Sequence, residues 1–418
     1  MFNPTNPREK HRKLLSFEMG DSYRHPGFPM MKFNEFGFQV FETDVEGDHI
    51  FLSGDGASLE GDRPFLDRFS LKSKRKKRLF RSKEPYYESP VAILNTDATE
   101  LLVRRESTHM PPSYFHWSST KGANRKITQD SNPFVSLTTV KRQQLNYKRN
   151  DGVRLTANLY LPPGHDPKRD GPLPTLVWAY PRAYLSTSNA SQLKRSPYQF
   201  FDARWNRPLI WTLKGYAVVD DPTMPIVSVA EGHPNNSFVA QLKDSAQALV
   251  EELVKGGISD EGKIALGGHS YGAFMTANLL AHTNLFCAGI ARSGAYNRTL
   301  TPFGFQSEER NLWQAPLVYL AISPFLVETG IEEPLLLIHG EKDENPGTYL
   351  MQSERLFHAL NGLGRTARLV VLPNEGHTIR GEDSIRHSLW EMERWLELHV
   401  KGVAYLNSSP IISQSETV

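Results

Sequence analysis

A pentapeptide near the middle of the chain, residues 268–272, restricts the local backbone more tightly than any other segment. It reads Gly-His-Ser-Tyr-Gly, which is a G-x-S-x-G pattern. Residues 263–267 before it have the composition of a strand, and residues 273–280 after it have that of a helix. In such a strand-to-helix turn the flanking glycines are needed because bulky side chains would clash, and the serine oxygen is held out at the sheet edge. The motif predicts a nucleophilic Ser270 at a helix N-terminus, whose positive potential suits a developing oxyanion.

From about Tyr147 onward, segments with strand-like composition alternate with segments of helix-like composition. The pattern predicts strands at 155–161, 175–179, 216–219, 264–266, 288–292, 335–338 and 367–372. It predicts helices at 237–255 and 384–400, each with apolar residues at three- and four-residue spacing. This alternation is typical of an α/β fold with a mostly parallel sheet. We therefore predict an α/β-hydrolase fold for residues 136–402.

The region before Tyr147 has a different pattern, with short apolar and aromatic runs broken by Gly, Asp, Asn and Pro. It predicts β-strands, for example at 38–41, 49–52 and 89–94. The basic run at 72–78 lies between two such runs, so we interpret it as a solvated hairpin tip rather than a nucleic-acid site. The predicted domains are a β-rich segment at 1–135, the hydrolase domain at 136–402 and a disordered tail at 403–418.

Composition excludes several classes of function. The chain has 418 residues, enough for two or three domains. Its formal charge is only +2, which argues against a dedicated nucleic-acid or anionic-membrane binder. A single cysteine, Cys287, rules out an internal disulfide framework and cysteine-based metal sites. We predict no metal and no cofactor, and expect Cys287 to be a small core residue.

The sequence also carries an expectation about compartment. The first residues show no apolar segment behind their positive charges, so no secretory signal is expected, and no apolar run is long enough to span a bilayer. The cytoplasm is the predicted location, with an organelle stroma left open. Whether the protein forms a homo-oligomer is also left open.

A serine nucleophile needs a base, and the base needs an acid to orient it. In the chain order Ser, Asp, His, the two partners should follow Ser270 in loops at strand ends. Asp343 follows the apolar run at 335–338, and His377 follows the run at 367–372. We predict a triad of Ser270, Asp343 and His377.

Two arginines lie just past the predicted strand at 288–292. Because parallel strands end on the same face of the sheet, Arg292 and Arg298 are candidates to bind an acidic substrate side chain through a guanidinium. Arg298 is the preferred candidate, since Arg292 still lies within the apolar run. The alternative is that they pair with structural carboxylates such as Glu308 or Glu309.

Two longer stretches carry a resemblance to a known family. Residues 268–282 read Gly-His-Ser-Tyr-Gly-Ala-Phe-Met-Thr-Ala-Asn-Leu-Leu-Ala-His, and residues 291–306 read Ala-Arg-Ser-Gly-Ala-Tyr-Asn-Arg-Thr-Leu-Thr-Pro-Phe-Gly-Phe-Gln. From about Tyr147 to Lys401 the chain resembles the prolyl oligopeptidase family of serine peptidases, most closely its branch of chloroplast-type glutamyl endopeptidases and bacterial relatives. The preceding segment resembles the last blades of the family's β-propeller. The roughly 130 residues there are too few for a closed propeller, which has four or more blades of four strands.

The resemblance implies further site residues. Tyr180 matches the family tyrosine whose hydroxyl joins the backbone N–H of Tyr271 in the oxyanion hole, and Asn345 matches an asparagine that holds a substrate carbonyl in related dipeptidyl peptidases. Tyr180 as a strand cap and Asn345 as a turn residue are the alternatives. The chain departs from the branch at Arg182 and Ala183, where relatives have Gly-Glu.

Three functions are compatible with these residues. The leading hypothesis is a serine peptidase that acts on a peptide substrate through an acyl-enzyme, with a preference for glutamate on the acyl side. The second is a carboxylesterase-like hydrolase. The third is an impaired, truncated protein that serves as an interaction module.

Overall fold

The structure is a computed structural model that describes residues 12–18, 20–128, 131–193, 195–201, 203–228, 232–327 and 330–403. The chain divides into two compact units. The first comprises residues 1–138 and 188–202, and the second comprises 139–187 and 203–418. Residues 188–202 therefore return to the first unit, an excursion that the sequence pattern does not reveal. Of the predicted disordered tail, all but Val403 lies outside the described residues.

The described part of the first unit contains ten short strands. They are β1 (Phe28–Pro29), β2 (Met31–Phe33), β3 (Gln39–Phe41), β4 (His49–Gly54), β5 (Phe65–Ser70), β6 (Lys76–Arg81), β7 (Tyr87–Ile93), β8 (Glu100–Glu106), β9 (Ser113–Ser118) and β10 (Gly122–Lys126). Two antiparallel sheets of four strands have the orders β1-β4-β5-β6 and β10-β9-β8-β7, and β2 pairs with β3. Four strands is the usual size of a propeller blade.

The strands predicted in this unit are confirmed. The basic run occupies the turn after β5 and the first half of β6, so it lies at a hairpin as expected. Phe51, Leu66 and Phe80 are buried together with Leu101 and Val103, which gives this unit an apolar core of its own.

The second unit contains an eight-stranded sheet with the order β11-β12-β15-β13-β17-β18-β19-β20. Its strands are β11 (Lys141–Lys148), β12 (Arg154–Leu161), β13 (Leu173–Trp178), β15 (Ala217–Asp220), β17 (Ser259–His269), β18 (Ala288–Arg292), β19 (Leu335–Gly340) and β20 (Ala367–Leu372). Two further short strands, β14 (Arg182–Tyr184) and β16 (Pro225–Val227), pair with each other. The pairs β11–β12 and β12–β15 are antiparallel, and all later pairs are parallel.

The described α-helices are α1 (Pro167–Asp170), α2 (Thr187–Ala190), α3 (Phe238–Lys255), α4 (Tyr271–His282), α5 (Pro316–Ala321), α6 (Met351–Gly362) and α7 (Glu382–Leu396). Helices α3 to α6 alternate with the parallel strands, whereas most of α2 belongs to the first unit. Every residue of β18 and of β19 is buried, as expected for central parallel strands covered on both faces. This architecture confirms the predicted α/β-hydrolase fold, and it places the C-terminal ends of β17, β19 and β20 at the same edge of the sheet.

Candidate active site

The turn between β17 and α4 holds Ser270 in a strained backbone conformation, with φ of 59° and ψ of −116°. A non-glycine residue adopts a positive φ only where its surroundings impose it. Here the Ser270 N–H donates to the Arg292 carbonyl at 2.8 Å. A Cβ added to Gly268 would come within 2.4 Å of the Gly272 backbone, and one added to Gly272 within 2.4 Å of the Ala179 carbonyl oxygen. The two glycines are therefore required by close backbone contacts.

The three residues predicted as a triad lie in hydrogen-bonding contact. The Ser270 hydroxyl lies 3.0 Å from Nε2 of His377, and Nδ1 of His377 lies 2.8 Å from Oδ2 of Asp343. With the proton on Nδ1 donated to the carboxylate, Nε2 is the free acceptor that faces the serine. Ser270 lies between β17 and α4, Asp343 follows β19 and His377 follows β20, so the three groups lie after three different strands.

Asp343 is buried and receives several hydrogen bonds. The Asn345 N–H donates to Oδ1 at 3.0 Å, and the Thr348 hydroxyl donates to Oδ2 at 3.1 Å. His339 Nε2 lies 2.6 Å from the Thr348 carbonyl oxygen, which can only accept, so this nitrogen carries a proton. The same nitrogen lies 3.1 Å from Oδ2 of Asp343. Burial alone would raise the pKa of Asp343, but the bonds from His339 and His377 lower it well below its usual range. Asp343 is therefore ionised at neutral pH.

His339 is the fifth residue of β19 and is fully buried, and its Nδ1 accepts from the Ser353 hydroxyl at 2.7 Å. Thr348 also lies 3.0 Å from Nδ1 of His377, so its hydroxyl contacts both the acid and the base. Thr348 was not identified as a site residue from the sequence, although it lies in the same loop as Asn345.

The loop that carries His377 is closed by a neighbouring carboxylate. Glu375 accepts from the backbone N–H groups of Arg380 and Gly381, both at 2.8 Å. These bonds fix the turn between β20 and α7. Glu375, two residues before the base, therefore helps to hold the loop that carries His377 in place.

A second histidine ring lies next to the base. The ring centroids of His269 and His377 are 4.8 Å apart. Burial, followed by the charges of Arg292 and His377, lowers the pKa of His269 to about 3. His269 is therefore neutral at physiological pH and adds no positive charge beside His377.

Tyr180 and Tyr271 lie next to each other, with ring centroids 6.0 Å apart. Tyr271 is the first residue of α4, so its backbone N–H has no acceptor within the helix. The Tyr180 hydroxyl accepts a hydrogen bond from Nε2 of Gln306 at 3.1 Å. Gln306 was not identified as a site residue from the sequence.

A cavity of about 440 Å³ opens beside Ser270 and is lined by Arg298. The guanidinium of Arg298 lies over three aromatic rings, at 4.2 Å from the centroid of Phe274, 4.5 Å from that of Phe305 and 5.4 Å from that of Tyr271. Among the described residues no carboxylate pairs with it, and its buried Nε has no hydrogen-bond partner. Burial lowers the pKa of Arg298 to about 10, so it stays charged at neutral pH.

Glu308, one of the carboxylates that were alternative partners for Arg298, has other partners in the structure. That carboxylate binds Arg310 through two bonds of 2.8 Å and Asn235 through one of 3.2 Å. It does not bind Arg298. The positive charge of Arg298 is therefore available to the cavity.

Arg292 lies in a different cavity, of about 240 Å³, which is also lined by Tyr180, His269 and Thr378. Its guanidinium stacks on Trp178 and Trp205, at 4.5 and 5.0 Å, and its Nη2 donates to the Asn206 carbonyl oxygen at 2.9 Å. Burial lowers its pKa to about 9. The structure therefore separates the two arginines that the sequence grouped together.

Asn345 lies at the edge of the Ser270 cavity. Its side-chain Nδ2 is 3.3 Å from Nε2 of His377, so it reaches the same nitrogen as the serine hydroxyl. Within the described part of the chain, no group of three or more His, Cys, Asp or Glu residues is placed to hold a metal ion. No helix in that part is both long and apolar enough to cross a membrane.

Comparison with known proteins identifies related sequences and a related family. Residues 239–403 match the model of the prolyl oligopeptidase family, and residues 151–296 match that of the X-Pro dipeptidyl-peptidase (S15) family. The chain is 43% identical over 429 residues to a "Probable glutamyl endopeptidase, chloroplastic" of Oryza sativa, covering 100% of this chain and 46% of the relative. It is 45% identical over 417 residues to the protein of the same name in Arabidopsis thaliana, covering 96% and 43%. The chain thus spans about half the length of these relatives.

Solved structures support the fold. The dipeptidyl peptidase 4 of Porphyromonas gingivalis superposes with a TM-score of 0.66 at 18% identity, over 94% of this chain and 51% of that one. A dipeptidyl aminopeptidase IV homologue from Bacteroides ovatus gives a TM-score of 0.64 at 17% identity, over 85% and 49%.

Proposed function

From the premise that this chain carries a peptidase domain of the prolyl oligopeptidase family, we propose that it hydrolyses peptide bonds through a serine acyl-enzyme. The observation that carries the proposal is the continuous hydrogen-bonded series from Ser270 through His377 to Asp343. Each member is held by its own element of the sheet.

The proposed steps follow from the positions of the protons. His377 Nε2 takes the proton of Ser270 as the hydroxyl oxygen attacks the carbonyl carbon, and Asp343 stabilises the imidazolium that forms. His377 then gives that proton to the leaving amine as the peptide C–N bond breaks. A water molecule, deprotonated by the same nitrogen, hydrolyses the acyl-enzyme and restores Ser270.

We assign the oxyanion to two donors, the backbone N–H of Tyr271 and the hydroxyl of Tyr180. The first has no intrahelical acceptor and lies directly after the nucleophile. The second, the Tyr180 hydroxyl, belongs to a ring that lies next to the ring of Tyr271. Donors already in place before the reaction stabilise developing charge without reorganisation.

We further propose that the residue on the acyl side of the scissile bond is acidic, and that its carboxylate binds Arg298. A buried cation without a counter-ion is unfavourable, and a substrate carboxylate would supply the missing partner. The cavity that Arg298 lines is the one that Ser270 borders. The two plant relatives are named glutamyl endopeptidases, which agrees with this assignment.

For Arg292 and Asn345 the substrate-binding roles remain predictions. Arg292 would contact a substrate only from the second cavity, next to His269 and Thr378, and so would bind a different residue from the one that Arg298 binds. Asn345 has an exposed amide beside His377 Nε2, which is a suitable position to donate to a substrate carbonyl.

The test has two stages. A fluorophosphonate probe should label the parent protein and not Ser270→Ala, because only an assembled triad activates the serine. Absence of labelling would favour the interaction-module hypothesis. Turnover of a peptide anilide and of a short-chain p-nitrophenyl ester should then be compared, and a large preference for the ester would favour a carboxylesterase instead.

We propose a location in the cytoplasm, with the organelle stroma as the alternative that the names of the plant relatives favour. A fluorescent fusion of the natural gene product would separate these compartments. Light scattering of the purified protein would decide between a monomer and a homo-oligomer.

A further inference from the structure

The loop that follows the Arg298 segment makes a tight turn at Gln306. The N–H of Glu308 donates to the Phe305 carbonyl at 2.8 Å, and the Phe305 N–H donates back to the Glu308 carbonyl at 3.2 Å. Gln306 lies between them with φ of 50°, in the left-handed region that a glutamine rarely adopts. Such a conformation persists only when the surroundings hold it, and it clusters at functional sites.

Two sets of contacts hold this turn. The buried Glu308 carboxylate binds Arg310 and Asn235, as described above. The Tyr319 hydroxyl accepts from the Gly304 N–H at 2.9 Å and donates to the Arg310 carbonyl at 2.7 Å. The backbone on both sides of Gln306 is therefore anchored, and its side chain leaves a fixed point.

That side chain reaches Tyr180. Its Nε2 is 3.1 Å from the phenolic oxygen, and no other hydrogen-bond partner of the Tyr180 hydroxyl is present among the residues that the structure describes. An amide N–H can only donate, so the phenolic oxygen accepts and keeps its own proton free. A phenol that accepts one hydrogen bond also becomes a better donor of another.

We propose that Gln306 is a positioning residue that directs the Tyr180 proton toward the oxyanion, an inference that rests on the proposed function of this site. Gln306 also lines the cavity shared by Ser270 and Arg298. The same side chain thus borders the place where an acidic substrate group binds and the donor that stabilises the transition state.

Two substitutions separate this role from simple packing. Gln306→Met keeps the length of the side chain but removes the donor. Gln306→Glu replaces the donor with a carboxylate, which can only accept and would draw the Tyr180 proton away from the oxyanion. Ser307→Ala, at the next exposed position of the same loop, is the matched control, and thermal unfolding checks that each variant folds.

The readouts are kcat and KM for an anilide substrate and the rate of labelling by a fluorophosphonate, which also needs the oxyanion hole but no peptide specificity. We expect kcat and the labelling rate to fall about tenfold in Gln306→Met, whose KM should stay within twofold of the parent value. Both rates should fall further in Gln306→Glu. In Ser307→Ala both rates should stay within twofold of the parent. In a Tyr180→Phe background, Gln306→Met should change either rate less than twofold, because its target is gone.

Equal effects of Gln306→Met in the two backgrounds, or parental kcat in Gln306→Glu, would overturn the inference while the peptidase assignment stands. Failure of the parent protein itself to label would overturn the proposed function, and this inference with it.

Discussion

The guanidinium of Arg298 lies 4.2 Å from the ring centroid of Phe274, a residue in the first turn of α4, the helix that directly follows Ser270. The candidate specificity residue is therefore packed against the element that presents the nucleophile. Because the stacking fixes the cation relative to Ser270, an acidic side chain bound to Arg298 would place its own backbone near the serine oxygen.

Replacing Arg298 by Met should abolish the preference for acidic residues. Hydrogen bonds to charged groups contribute about 1.5–3 kcal/mol, so kcat/KM for a Glu peptide should fall roughly 10–150-fold. The value for the matching Gln peptide should change little. Steady-state kinetics on the two peptides measure this. Arg298→Lys keeps the charge without the planar fork and should give an intermediate loss, and an equal loss on both peptides in Arg298→Met would indicate a purely structural arginine.

A long side chain at Gly347 should fill the cavity that Ser270 and Arg298 line. A Cβ added there would lie 3.7 Å from Nη1 of Arg298 and 3.8 Å from Cγ2 of Thr301, which are ordinary contacts. Gly347→Ala should therefore be tolerated, whereas the longer side chain of Gly347→Leu should raise KM for a Glu peptide by about tenfold or more. Fluorophosphonate labelling should stay close to the parental rate in both variants. A Gly347→Leu protein with parental KM would place the substrate side chain elsewhere.

Tyr180→Phe should slow turnover without weakening substrate binding. The hydroxyl is proposed to bond an oxyanion that exists only in the transition state, and loss of one such donor lowers kcat by about 10²–10³. The measurement is kcat and KM on an anilide substrate. A raised KM with unchanged kcat would assign Tyr180 to ground-state binding instead.

His269 should make stability depend on pH. Its pKa is about 3 in the folded protein against an ordinary value of 6.5, so between these values the unfolded chain binds a proton that the folded one does not. The contribution of His269 is therefore fully present above pH 6.5 and is lost as the pH falls toward 3. Free energies of unfolding in urea across this range should decline more steeply for the parent than for His269→Gln. Parallel curves would show that His269 titrates normally.

Much of the second unit could be predicted from the sequence because its central strands are continuous apolar runs with clear ends. The predicted bounds of β18 and β20 match the structure, and the glycine spacing at 268–272 identified the strand-to-helix turn that holds Ser270. The motif, the order of Ser270, Asp343 and His377 along the chain and their positions at strand ends together led to the predicted triad, and the structure places the three side chains in contact.

What the sequence could not supply is the direction of side chains that leave irregular loops. Arg292 and Arg298 are near neighbours in the chain, yet they line different cavities, because Arg292 ends β18 while Arg298 follows a turn in which Ser293 has a positive φ of 50°. The contact of Gln306 with Tyr180 joins positions 126 residues apart and has no local pattern. The return of residues 188–202 to the first unit is likewise a tertiary effect.

The most direct test of the account is a map of cleavage sites. An unfolded protein substrate incubated with the parent enzyme, and separately with Ser270→Ala, would be analysed by mass spectrometry for new peptide ends. We expect cuts predominantly after glutamate in the parent digest and none above background with Ser270→Ala. Cuts mainly after proline or large apolar residues would contradict the assignment of Arg298, and cuts that persist in Ser270→Ala would contradict the assignment of the nucleophile.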